Sequence, residues 1–323
     1  SPVLSHSKFA QITSIARPGY EVERISLNYD AAISLRQAVI NIADQAEAAV
    51  RAGKVLMVLS DRDIGQDKLP VHAMMAVGAV HHRLTEKGLR CSSNIIVETA
   101  TARDPHHFAC LIGFGATAVY PYLAYDVLCD LIRTGEVLMD PIDAQKNYRK
   151  AIDKGLLKIL SKMGISTVAS YRGAQLFEAV GIATEVREIC FSDVPSRIEG
   201  AGFEHFEADL KALAADAWKA RKPIDQGGLL KFVHGGEYHA FNPDVVAALH
   251  KAVQSGDFDD YREYANLTQD RPVAAIRDLL KLRGDLKPIP LDEVEPVEKI
   301  LPRFDSAGMS LGALSPEAHE AIA

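Results

Sequence analysis

Two adjacent-histidine pairs, His81-His82 and His106-His107, concentrate imidazole in short stretches of this 323-residue chain. Neighbouring residues of a helix project about 100° apart, so neither pair chelates one ion from a single helix face. No H-x-x-x-H or H-E-x-x-H spacing occurs. Helix-end, capping and core roles fit both pairs, and no metal ligands are predicted. Cys91, Cys110, Cys129 and Cys190 lie far apart without a C-x-x-C pair, which suits reduced thiols better than a disulfide frame or a zinc site.

Lys146, Lys150, Lys154, Lys158 and Lys162 recur at every fourth residue, opposite the apolar set Tyr148, Ile152, Leu156, Ile159 and Met163. Such a stripe suits an acidic partner surface or a solvated face whose lysine stems cover apolar surface. A Schiff-base lysine would need one desolvated amine, and the pattern singles none out. In "SYRGAQLFEAVG", Ser170, Tyr171 and Arg172 stand at an expected helix start, where Arg172 either holds a carboxylate or phosphate or pairs with an interior acid. No nucleophile elbow, P-loop or G-x-G-x-x-G after a strand is present, so no catalytic residue is assigned.

These side chains need elements to hold them. A strand is expected at 23–28 and a helix at 31–52, followed by the apolar strand "KVLMVLS", a helix from Pro70 to Gly88, the strand "SNIIVET", the helix "PHHFACLIGFG" and the strand "ATAVYPY". A long helix at 143–163, the strand "GISTVAS" and the helix "YRGAQLFEAVG" repeat the scheme. Short, nearly continuous apolar strands joined by helices argue for parallel strands in an α/β fold. Further on, "GGLLKFVHGGEYHAF" reads as a hairpin, and helices follow from Asn242-Pro243 to Arg283. The proline-rich, acidic "DLKPIPLDEVEPVEKILPRF" reads as an extended connector. Phe304 to Ser310 then reads as a strand, and Ser315-Pro316-Glu317 as a helix start.

In such a fold the carboxyl ends of the strands usually build the site. Here they carry Glu98-Thr99-Ala100 and Tyr120-Pro121-Tyr122, not the glycines whose amides approach a phosphate, so a filled, structural strand end is expected. Net charge is -7 and 48% of residues are hydrophobic, which gives no reason to expect nucleic acid or a membrane surface as partner. No apolar run approaches the roughly 18 residues of a membrane span, no signal-peptide pattern opens the chain, and a cytoplasmic, reducing location is expected.

"KNYRKAIDKGLLKILSKMGISTVASYRGAQLFEAVGI" resembles the central domain of glutamate synthase. So do "LSDRDI", "LPVHAMMAVGAVHHRLTEKGLRC", "VETATARDPHHFACLIGFGATAVYPYLAYDVL", "PSRIEG", "GGEYHAFNP", "AVQSGDFDDYREY" and "PIPLDEVEPVEKI". "FDSAGMSLGALSPEAHEAIA" resembles the start of the family's FMN-binding barrel, with Gly308 where Ala is more common. The resemblance implies a segment of a longer polypeptide that converts glutamine and 2-oxoglutarate into two glutamates. It implies a central domain at 1–285, a linker at 286–303 and the beginning of the FMN-binding domain at 304–323.

The fold so implied is barrel-like, a degenerate relative of the FMN-binding TIM barrel with no cofactor of its own. The resemblance implies FMN and a 3Fe-4S cluster for the full-length enzyme. Of the FMN site, Met309, Ser310, Leu311 and Gly312 match the first-strand segment near the flavin. The implied partners are the glutaminase and FMN-binding domains of the same chain, with a small NAD(P)H-oxidising flavoprotein subunit or ferredoxin as electron donor. The segment's implied role is to hold the glutaminase and synthase sites in register and help line the ammonia passage. The alternative is a free-standing βα scaffold without catalysis.

Overall fold

A computed structural model describes residues 1–219 and 227–322. The chain divides into two units, Ser1–Lys222 and Pro223–Ala323. The sequence-based boundary at 285 lies inside the second of them.

In the first unit the elements run α1 (His6–Thr13), β1 (Val22–Ser26), β2 (Asn28–Asp30), α2 (Leu35–Arg51), β3 (Leu56–Ser60), β4 (Lys68–Pro70), α3 (Ala73–Glu86), β5 (Asn94–Glu98), α4 (Pro105–Gly113), β6 (Ala118–Tyr120) and α5 (Tyr122–Arg133). They continue with α6 (Pro141–Met163), α7 (Val168–Tyr171), β7 (Ala179–Ile182), α8 (Thr184–Cys190), β8 (Ser196–Ala201) and α9 (Phe203–Ala217). The second unit contains α10 (Pro243–Ser255), α11 (Phe258–Gln269), α12 (Val297–Ile300) and α13 (Pro316–Ile322).

The expected α/β class holds. β1, β3, β5 and β6 form a parallel sheet in the order β1-β3-β5-β6, while β2 with β4 and β7 with β8 make two-stranded sheets. Among the described residues, therefore, the strands do not close into one continuous ring. Val3 adds one parallel bridge beside Val119, its neighbours exchanging Leu4 N to Val119 O at 2.9 Å and Val119 N to Pro2 O at 2.8 Å.

Alternation along the strands sends their residues into two cores. Met57, Leu59, Ile95, Val97 and Val119 pack with residues of α2, α3 and α4 in the larger core. Val58, Ile96 and Tyr120 face the other way, where Phe9 of α1 and Tyr122 and Tyr125 of α5 cover them. Phe9 stacks on Tyr120 with ring centroids 4.4 Å apart. Gly78 permits a close helix contact: a Cβ there would lie 1.8 Å from the carbonyl oxygen of Cys190, so α3 and α8 approach through bare backbone.

The strand expected at 164–170 and the helix expected at 171–181 are corrected. Gly164 closes α6 in the left-handed region, and Thr167 Oγ1 accepts from Ser170 N at 3.2 Å to cap the one-turn helix α7. Gly173 N then donates to Gly113 O at 2.9 Å, tying this stretch to the end of α4. The strand forms later, at Ala179–Ile182, where β8 supplies its parallel partner.

The expected hairpin at 227–241 is also absent. Its chain folds back in turns, with Gly236 N donating to Val233 O at 2.9 Å, Glu237 N to Gly227 O at 2.8 Å and His239 Nε2 to Gly228 O at 2.6 Å. After α11, one 3-10 turn at Ile276–Leu279 stands where a further helix was expected. Residues 304–310 form no strand, since no neighbouring strand offers a hydrogen-bonding edge to them. The helix start at Ser315 is as expected, Ser315 Oγ accepting from Ala318 N at 3.3 Å.

Candidate functional site

Parallel register sets one residue from each strand at the carboxyl edge of the sheet. Ser26 pairs with Ser60, Ser60 with Glu98, and Glu98 with Tyr120. Since neighbours in register point to the same face, four polar side chains share one row. Glu98 is its centre and is 1% exposed. Ser60 Oγ donates to Glu98 Oε2 at 2.6 Å, Arg24 Nη2 bonds the same oxygen, and Arg62 Nη1 stands 3.7 Å from Oε1. Arg24 also donates to Ser60 Oγ at 3.0 Å. A buried carboxylate is costly unless paired and hydrogen-bonded, and here two guanidinium groups and a hydroxyl surround it.

One residue beyond β3, Asp61 builds a second knot. Its carboxylate accepts from Thr99 Oγ1 at 2.6 Å and from Ala100 N at 3.0 Å. Tyr122 also hydrogen-bonds it, yet burial outweighs these bonds and pushes the Asp61 carboxyl above its ordinary range. Arg62 lies over the Tyr122 ring, 4.7 Å from its centroid. Burial likewise raises the Tyr120 and Tyr122 phenols, so both stay protonated donors near neutral pH.

The filled strand end read from Glu98, Thr99 and Pro121 is therefore present, and its depth comes from residues the sequence reading did not single out: Arg24, Ser60, Asp61 and Arg62. "LSDRDI" was a usable signal, because a hydroxyl, an acid and a base follow a fully apolar strand at its carboxyl end.

The remaining candidates are dispersed. His81 accepts from Arg90, His82 lies 3.2 Å from Glu86, His107 accepts from Arg103 N, and His106 Nε2 lies 3.6 Å from Cys110 Sγ. Among the described residues, no group of three or more His, Cys, Asp or Glu side chains is placed to share a metal ion. The five lysines of α6 are all exposed, and Lys146 pairs with Asp143 at 3.1 Å. Arg172 ends α7 instead of starting a helix. Met309, Ser310, Leu311 and Gly312 lie in irregular backbone of the second unit, with Leu311 76% exposed.

A flavin phosphate needs backbone amides or cations at the strand ends. The carboxyl edge instead presents Glu98 and Asp61, with the nearest guanidinium groups engaged by Glu98, so these residues do not fit that group. Met309–Gly312, exposed and without a cradle of neighbouring strands, do not by themselves fit it either.

The class defined by fold and edge is an α/β domain of parallel strands whose usual ligand end is closed by its own side chains. Residues 1–183 match the family described as glutamate synthase central domain, and residues 239–323 match the conserved region in glutamate synthase. The chain belongs to the glutamate synthase family.

It is 39% identical over 337 residues to the ferredoxin-dependent glutamate synthase of Pyropia yezoensis, an alignment covering 100% of this chain and 22% of that protein. To the NADPH glutamate synthase large chain of Bacillus subtilis it is 37% identical over 325 residues, covering 100% of this chain and 21% of the other. To the chloroplastic ferredoxin-dependent enzyme of Oryza sativa subsp. japonica it is 43% identical over 307 residues, covering 90% and 19%. The chain thus spans about a fifth of the length of these curated relatives. The flavin-binding domain of baker's yeast flavocytochrome b2 aligns with 62% of this chain and 46% of its own at 12% identity, with a TM-score of 0.35, a likeness too slight to argue from. Among the described residues no helix is long and apolar enough to cross a membrane.

Proposed function

We propose that this segment is the cofactor-free central domain of a glutamate synthase large chain, at 1–285, joined by a linker at 286–303 to the start of the FMN-binding domain at 304–323. It holds the glutaminase and synthase sites in register and helps line the passage for ammonia. The parent reaction takes glutamine, 2-oxoglutarate and two reducing equivalents to two glutamates. FMN, when bound in the adjoining domain, supplies hydride-transfer chemistry there, and the 3Fe-4S cluster belongs to the same parent chain. Met309–Gly312 contribute one edge of that flavin site once the rest of the barrel surrounds them. The electron donor is ferredoxin or a small NAD(P)H-oxidising flavoprotein subunit, and the location is cytoplasmic.

The observation that supports this reading is the closed carboxyl edge: buried Glu98, held by Ser60, Arg24 and Arg62, fills a strand end of the kind on which α/β folds commonly build a ligand site. The experiment replaces Glu98 by Gln in the full-length enzyme. Flavin content is expected to stay unchanged while more ammonia escapes to solvent per glutamate formed. Loss of flavin would overturn the reading, as would unchanged coupling in an enzyme whose central domain is shown to be loosened.

A further inference from the structure

We propose that a second cleft, at the junction of α3, α4 and the α7–β7 and α8–β8 connections, binds a small zwitterion of the α-amino-acid class. Its carboxylate lies toward His81 and its ammonium group toward Asp193. The cleft encloses 220 Å³, and its polar lining includes His81, His82, Thr85, Gln175, Ser192 and Asp193. An apolar cavity of about 150 Å³ already accepts benzene, so a small amino acid fits this volume.

The donor end is built around His81. Arg90 Nε donates to His81 Nδ1 at 2.9 Å, so a neutral ring carries its proton on Nε2. That nitrogen faces the backbone of Gly173, from whose Cβ position it would stand 3.7 Å. Arg90 is itself fixed by Ser93 O at 2.7 Å and Gly115 O at 2.8 Å, and these carbonyls offset its charge only in part. Burial, aided by Arg90 and Arg172, lowers the His81 pKa to about 4, so the ring stays neutral at physiological pH.

Arg172 supplies the second observation. Its Nε is buried and has no hydrogen-bond partner, and among the described residues neither Arg172 nor Arg90 pairs with a carboxylate. Both arginines are half-buried and stand behind His81 rather than in the lining itself, and two guanidinium groups without a carboxylate partner beside one imidazole leave a local positive potential for an anion to satisfy.

The acceptor end is Asp193, exposed at the mouth and without an ion pair among the described residues. Glu86, the nearest acid on α3, is engaged by His82 at 3.2 Å. Gln175 and Asp193, both in the lining, are the two non-glycine residues with positive φ among the described residues, at 54° and 61°. Strained conformations of that kind cluster at ligand sites.

The 323-residue chain is titrated calorimetrically with L-serine, L-glutamine and L-arginine, beside propionate and ethylamine as half-molecules. At least one amino acid is expected to give saturable heat, with both half-molecules at least about tenfold weaker, about 1.4 kcal/mol. Asp193→Asn, at an exposed position, and Arg172→Gln should each weaken binding by a similar factor in variants whose thermal unfolding matches the parent chain. Three silent amino acids, propionate binding as tightly as an amino acid, or unchanged affinity in Asp193→Asn would overturn the proposal.

Discussion

Glu98 and Ser60 meet across two neighbouring parallel strands, with Ser60 Oγ donating to Glu98 Oε2 at 2.6 Å. The contact closes the sheet edge on which α/β folds commonly hold ligands, and it places a buried carboxylate where a phosphate would need donors. Replacing Glu98 by Ala strands Ser60 and two guanidinium groups. Arg24 and Arg62 keep 47% and 41% of their side chains in solvent, so water recovers part of the loss. The expected destabilisation is about 2–3 kcal/mol, read as a lower midpoint in urea unfolding. A change within about 0.5 kcal/mol, the usual range for surface substitutions, would show that the edge is not held by this carboxylate.

His81 gives an acid-side prediction. Its pKa falls from 6.5 unfolded to about 4 folded. Above pH 6.5 both states are neutral there and stability is full. As pH falls from 6.5 towards 4, the unfolded chain takes up the proton first, and stability declines. His81→Gln should flatten that part of the stability profile relative to the parent chain, and two parallel profiles would refute the assignment.

Gly78→Ala tests the contact between α3 and α8. A Cβ 1.8 Å from the Cys190 carbonyl oxygen forces backbone to move. Overpacking of this kind costs about 1–3 kcal/mol and occasionally more, and the upper end is expected because the obstacle is main chain and not a flexible side chain. Thermal unfolding measures it.

Lys154→Gln with Lys158→Gln is the contrasting case. Both lysines are exposed on α6, so each change should be worth about 0–1 kcal/mol. A loss of several kcal/mol in the chain alone would mean that this stripe is structural.

The closed edge also predicts that the 323-residue chain, titrated with FMN, shows no micromolar binding. A dialysed protein retaining stoichiometric yellow chromophore would place a flavin site where Glu98 and Asp61 leave no phosphate donors.

Much of the central sheet was legible in the sequence. β3 and β5 are short apolar runs buried on both faces, and their neighbours α2 and α3 carry helical periodicity between turn residues. Those signals are local, because burial on both faces demands apolar residues whatever the partner. The segment from Gly164 to Gly181 was misread because its β-branched residues suit a strand, while only a neighbouring strand decides whether one forms. Here Gly173 is held by Gly113, and β8 waits for residues 179–182. Phe304–Ser310 likewise has strand composition without a partner edge. At the site, the sequence showed Glu98 and Thr99 at a strand end. Only the tertiary structure brought Arg24, Ser60 and Glu98 together across up to 74 positions of chain, because parallel register is set by how strands and helices pack and not by spacing along the chain.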